Sequence, residues 1–143
     1  MARVKATKET TSKTKQAPIA HGVGRRKSCV ARVWVYPGAA KLMVNEKDFK
    51  EYFDTEVARL EASSPLQAIP SQQYHVVVDV TGGGLKGQAG AVRVGIARAL
   101  VNADEKLKGV MRQLGYLTVD SRLKERKKYG QKAARRKFQF VKR

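Results

Sequence analysis

Only the middle of this chain can build a hydrophobic core, because both ends are too basic and too poor in apolar residues to fold alone. Residues 1–27 carry eight Lys or Arg against the single acid Glu9, and residues 122–143 carry eleven against the single acid Glu125. The stretch between them, 28–121, holds eleven bases and ten acids. The net charge of +18 therefore sits almost wholly at the ends. Such a charge repels itself in a compact state, and a polyanion relieves the repulsion. Nucleic acid is the commonest such partner, and an anionic membrane surface is the weaker alternative. No run approaches the ~18 consecutive apolar residues of a membrane-spanning helix. At 143 residues there is room for one domain. We expect a flexible basic extension over 1–21, a globular RNA-binding domain over 22–121 and an extended basic tail over 122–143. A transit peptide is the alternative for 1–21. The scarcity of Arg and the lack of an amphipathic period favour the solvated extension.

The near-neutral body reads as alternating strands and helices. Residues 29–36 place Ala31, Val33 and Val35 on one side and Val30, Arg32, Trp34 and Tyr36 on the other, which predicts a strand. Pro37-Gly38 is a turn, and 41–44 is a short strand expected to close a hairpin. Residues 48–60 read as helical with a break near Asp54-Thr55. Ser64-Pro65 is expected to open another short helix through Ile69. Tyr74, Val76, Val78 and Val80 mark a central strand that Gly82-Gly83-Gly84 stops. The pattern Ala89, Val92, Ile96, Ala99, Leu100, Ala103 predicts a helix over 88–103. Asp104 is expected to cap a further helix carrying Leu107, Val110, Met111 and Leu114, ended by Gly115. A last short strand is expected over 117–119. The fold class is α+β, a small two-layer domain with helices on one face of a sheet.

The segment from Thr81 to Gly90 is the most informative in the body. Gly82, Gly83, Gly84 and Gly87 permit positive φ and close backbone approach. The helix that follows opens without a Ser, Thr or Asp cap, so its first N–H groups are available to an anion, and Lys86 adds a charge there. Two readings stand: a tight strand-to-helix turn, and a loop approached by RNA phosphate. Gly82, Gly84 and Gly87 also fit G-x-G-x-x-G, with Asp104 at about the distance of a ribose-binding acid. A triple glycine matches many patterns by chance, and the chain has too few parallel strands for a dinucleotide fold. The P-loop pattern fails at Gln88 and Ala89.

The single Cys29 rules out an intrachain disulfide framework and reads as a packed core thiol despite the neighbouring Arg25, Arg26 and Lys27. His21 and His75 have no spacing that suggests a metal site, and no nucleophile–base pair stands out. No cofactor is expected and the chain does not read as an enzyme. In the tail, Tyr129, Phe138 and Phe140 lie among bases, a composition suited to ring stacking on nucleotides while Lys and Arg meet phosphates.

Gly22-Val23-Gly24-Arg25-Arg26-Lys27-Ser28 resembles the opening signature of the ninth-protein family of the small ribosomal subunit. The stretch GGGLKGQAGAVRVGIARAL, starting at Gly82, is similar to that family's internal motif. Glu125-Arg126-Lys127-Lys128-Tyr129-Gly130, Lys132-Ala133-Ala134-Arg135-Arg136 and the closing Lys142-Arg143 resemble its tail. Phe138 and Val141 stand where the family often has Pro and Ser. The resemblance implies a compact domain set in ribosomal RNA of the subunit head, neighbouring ribosomal proteins as partners, and a location on the ribosome, cytoplasmic or organellar. It also implies a tail that reaches the peptidyl site, with Lys142 and Arg143 against the anticodon stem-loop of transfer RNA. The expected ribosomal-RNA contacts are Arg25, Arg26, Lys27, Lys86, Arg93, Arg98, Arg122, Lys124, Arg126, Lys127, Lys128, Tyr129, Lys132, Arg135 and Arg136. Competing readings are a nucleotide-binding enzyme using the glycine loop and a DNA-compacting basic protein.

Overall fold

The structure is a computed structural model that describes residues 17–69 and 73–140. Most of the expected extension over 1–21, and the terminal Lys142 and Arg143, lie outside the described residues. Five strands form one mixed sheet: β1 (Ala20–Arg26), β2 (Cys29–Pro37), β3 (Lys41–Val44), β4 (Lys47–Asp48) and β5 (Tyr74–Thr81). The helices are α1 (Phe49–Tyr52), α2 (Glu56–Gln67), α3 (Leu85–Ala103) and α4 (Leu107–Gln113). The strand order is β1-β2-β5-β3-β4, with β5 central as its run of valines predicts. The architecture is the expected α+β layer.

Alternation decides the faces. Cys29, Ala31, Val33 and Val35 of β2, Leu42 and Val44 of β3, and Val76, Val78 and Val80 of β5 are buried beneath the helices. Their even spacing follows from the two-residue period of a strand. The opposite face carries His21, Trp34, Tyr36, His75 and Val77, and no helix among the described residues lies on it. On the covered side α3 rests on β1 and β2, and α2 lies against α3. Helix α3 is thus enclosed on more than one side, with Ala91, Val94 and Ala97 buried beyond the predicted stripe.

Strand β1 was not expected, because it has no apolar alternation to announce it. Its inward positions are Gly22 and Gly24, which meet α3 backbone to backbone. A Cβ on Gly22 would lie 2.5 Å from Ala99 N, and one on Gly24 would overlap Ala91 O and Gly95 N. On the outer edge of β1, Asn102 Nδ2 donates to His21 O (2.8 Å) and Arg98 Nη1 donates to Val23 O (2.8 Å).

Four other expectations are corrected. Strand β3 does not close a hairpin with β2; it pairs in parallel with β5, which occupies the place beside β2. The richer apolar strand takes the central slot, and the helical crossover of α1 and α2 delivers it in the direction parallel pairing requires. Pro65 does not begin a helix but lies within α2. Its missing N–H would orphan Glu61 O, and Ser64 Oγ donates to that oxygen instead (3.0 Å). Residues 117–119 form no strand, since the outer carbonyls of β1 already accept from Asn102 and Arg98. Asp104 ends α3 rather than starting α4, although its carboxylate accepts from Lys106 N (3.0 Å). Of the α4 stripe only Met111 is buried, while Val110 and Leu114 are exposed. The expected break between α1 and α2 is present, and Gly115 follows α4 at φ +72°.

Candidate nucleic-acid interface

The β1–β2 turn and the start of α3 meet at one end of the molecule. Lys27 holds φ +54° in that turn, and Val30 stands opposite Thr81, so the glycine loop emerges directly beside it. Gly82 (φ +78°) and Gly83 (φ +63°) need backbone that L side chains rarely adopt. Gly82 also closes over Ser28, where a Cβ would sit 2.6 Å from the carbonyl oxygen. A Cβ on Gly87 would lie 2.8 Å from Cys29 Sγ. These glycines let the loop fold tightly onto the turn and bury the Cys29 thiol, as the core reading of that residue expects. Gly84 is different: it is exposed, nothing lies within 4 Å of its would-be Cβ, and it caps α3 with no side-chain hydrogen bond. The first in-helix bond runs from Gln88 N to Gly84 O (2.9 Å). The amides of Leu85, Lys86 and Gly87 precede it and have no partner within the helix.

The three signature bases divide. Arg25 and Lys27 are exposed and make no hydrogen bond or ion pair among the described residues, and Lys86 is exposed in the first turn of α3. Arg26 is half-buried. Its Nη1 meets Glu61 Oε1 at 2.7 Å and its Nη2 meets Asp120 Oδ2 at 3.4 Å, while Lys86 O accepts a longer bond (3.4 Å). Its guanidinium lies over Gly90, where any Cβ would be 2.5 Å from Nη1. Arg93 shares the same carboxylate, with Nη1 3.6 Å from Glu61 Oε1. Arg98 is exposed but bound to β1. The end of the fold therefore gathers Arg25, Lys27, Lys86 and the glycine loop. Arg26 and Arg93 tie β1, α2 and α3 together through Glu61.

The counter-ions Glu61 and Asp120 were missed in the sequence. No signal in the sequence separates them from the other eight acids of residues 28–121. Asp120 stands where the body ends and the tail begins. Arg122 donates to it through Nε (2.9 Å) and Nη2 (2.8 Å), and Arg26 approaches from the body. The hydrogen bonds from Arg122, with the Arg26 charge beside them, hold the Asp120 carboxyl well below the usual carboxylate range. Asn45 was also missed. At φ +48° in the β3–β4 turn, it receives Val80 N on Oδ1 (2.8 Å) and donates Nδ2 to Val80 O (3.0 Å), standing in for a strand neighbour.

Beyond Asp120 the described residues form no helix or strand. Arg135 forks onto Glu125, and Lys132 Nζ lies 5.6 Å from the centre of the Phe138 ring. Lys124, Arg126, Lys127, Lys128 and Arg136 are exposed and their side chains have no partner among the described residues. Tyr129 and Phe140 are almost wholly exposed. An apolar ring left in water among cations finds no use in the protein's own core.

A family model described as ribosomal protein S9/S16 matches residues 24–143. The chain belongs to that family. As an S9/S16 protein it is a structural component of the small ribosomal subunit that binds ribosomal RNA and takes part in translation beside other ribosomal proteins. The family is structural and is not known for enzyme activity, and its place is the ribosome, in the cytoplasm. No helix among the described residues is long and apolar enough to cross a membrane. The match takes in β1 from Gly24 onward, the glycine loop and the tail.

Proposed function

We propose that the body docks on ribosomal RNA of the subunit head through Arg25, Lys27, Lys86 and the open start of α3. The tail over 122–143 then runs through RNA toward the peptidyl site, where Lys142 and Arg143 meet the anticodon stem-loop of transfer RNA. The observation that carries this reading is the tail itself: cations and rings exposed together, without regular structure, rooted to the body at Asp120. Lys124, Arg126, Lys127, Lys128, Tyr129, Lys132 and Arg136 supply phosphate and stacking contacts along the way. Arg122 and Arg135, each shared with an acid, shape the path. Arg26, Arg93 and Arg98, expected from sequence to touch RNA, take positioning roles here. At ~3.3 Å per residue an extended tail spans up to about 70 Å, enough to leave the body and reach a second RNA.

Deleting 140–143 tests the tail end. Subunits carrying the truncated protein are expected to assemble, because the sheet and helices of the body end well before the deleted segment. They are expected to release peptidyl-site transfer RNA faster, by an amount worth about 1–2 kcal/mol for a few charge-assisted contacts. Equal dissociation rates for truncated and full-length protein overturn the transfer-RNA contact. Failed assembly overturns the division between body and tail. For the body, replacing Arg25, Lys27 and Lys86 by Ala is expected to lower the slope of log K against log salt by roughly 0.7–0.9 per lost phosphate contact.

A further inference from the structure

The reading above leaves unassigned the helix-free face of the sheet, where Trp34, Tyr36, Met43, His75 and Val77 are half-buried. The strand registers arrange it in rows. His21, Trp34, Val77 and Met43 form one row across β1, β2, β5 and β3. Tyr36, His75 and Lys41 form the next, and Val23, Arg32 and Asp79 the row on the other side. The His21 and Trp34 ring centres are 5.4 Å apart and those of Tyr36 and His75 are 6.1 Å apart, both pairs tilted. The core lies on the opposite face, so these rings do not build it. Arg25, Arg32 and Lys41 are exposed and make no hydrogen bond or ion pair among the described residues. The indole N–H of Trp34 and the hydroxyl of Tyr36 also find no partner there.

We propose that this face docks a single-stranded segment of ribosomal RNA, whose unpaired bases stack on Trp34 and Tyr36 while Arg32 and Lys41 meet its backbone. The proposal rests on the RNA-binding reading and adds a second surface to it. Charge favours a polyanion: Arg25, Arg32 and Lys41 face outward against Asp79, and the carboxylate of Asp48 is turned to Lys50 N (2.9 Å). Geometry favours bases. Trp34 and Tyr36 are two residues apart on one strand, so their rings stand roughly 7 Å apart along it, a spacing suited to splayed nucleotides. Four-stranded sheets with rings on the open face stack two or three bases in this way. A protein partner favours a centre depleted of charge, whereas Arg32 and Asp79 lie in the row beside Trp34.

Trp34 is the chain's one tryptophan, so its emission reports this face alone. Full-length protein is titrated at physiological salt with a dye-labelled oligoadenylate of about six nucleotides, a length within the range one such platform covers. We expect Trp34 emission to be quenched in step with the rise in dye anisotropy. Arg32→Ala, at an exposed position, is expected to raise the half-quenching concentration about three- to fivefold with an unchanged unfolding midpoint. Rising anisotropy with unchanged Trp34 emission overturns this surface and spares the RNA reading, since binding then runs through the basic end and tail. No response of either signal, even at low ionic strength, overturns both. Quenching by neighbouring small-subunit proteins and not by the oligonucleotide assigns the face to a protein and overturns the proposal.

Discussion

Replacing Gly24 by Ala is expected to destabilise the domain more than its single methyl group suggests. The added carbon meets backbone, not a side chain that can turn away: Ala91 O and Gly95 N lie inside contact distance and Ala91 C is 3.0 Å off. Ordinary carbon contacts lie at about 3.5–4.0 Å, so β1 and α3 must part by ~1 Å or more. Side-chain overpacking costs about 1–3 kcal/mol, and an unyielding backbone puts Gly24→Ala at or above ~3 kcal/mol. That is a large share of the ~5–15 kcal/mol that holds a domain together. With a urea slope of ~1.5 kcal/mol per molar, the midpoint falls by ~2 M. Gly109→Ala is the control. Gly109 lies in α4 with nothing within 4 Å of its would-be Cβ, so Ala is expected to stabilise the helix by ~0.8–1 kcal/mol. Urea titrations of both variants, followed by circular dichroism, decide the matter. A Gly24→Ala midpoint within ~0.5 M of the parent would refute the claim that direct backbone contact joins β1 to α3.

Arg26→Ala leaves Glu61 with only the longer Arg93 contact, and the expected loss is ~1–3 kcal/mol in thermal unfolding, between the values for exposed and buried pairs. Arg26→Lys should recover only part of it, because an ammonium cannot fork between Glu61 and Asp120. Asn45→Ala strips both backbone groups of Val80 of their partners and is expected to cost ~1–3 kcal/mol by the same measurement. For Asp120 the folded carboxyl titrates below its unfolded value. Its stabilising effect is therefore complete above about pH 4 and is lost as the pH falls through the lower folded value. Below pH ~4, stability of the parent is expected to fall more steeply than that of Asp120→Asn; parallel profiles would show that Asp120 is not clasped in solution.

The strongest sequence signals were those with a period. Val76, Val78 and Val80 gave the central strand, and Ala89 through Leu100 gave the long helix, because burial of a repeating face leaves a repeating pattern. Contacts made without side chains were illegible. Gly22 and Gly24 look like a loop until α3 is laid across them, so β1 was read only as a basic signature. The partner of β3 could not be told from its four residues, because pairing depends on which strand wins the slot beside β2. In the site, Arg25, Lys27 and Lys86 were legible as basic residues, and Lys86 as part of the glycine loop, but their meeting at one end depends on the β2–β5 register and was not. Nor was the withdrawal of Arg26 onto Glu61 and Asp120, since its counter-ions come from 35 and 94 residues away.

The side-chain bonds along β1 bear on the life of the protein before it meets RNA. A free strand edge is a template for another copy of the same chain, and a protein that waits for its RNA must avoid pairing with itself. Here Asn102 and Arg98 occupy the outward carbonyls of His21 and Val23, and the opposite margin ends in the two-residue β4. Neither edge offers a long ladder to a second sheet. A newly made molecule can thus remain attracted to polyanions while resisting aggregation with its own kind, and Asn102→Ala with Arg98→Ala would expose that edge without touching the basic end or the tail.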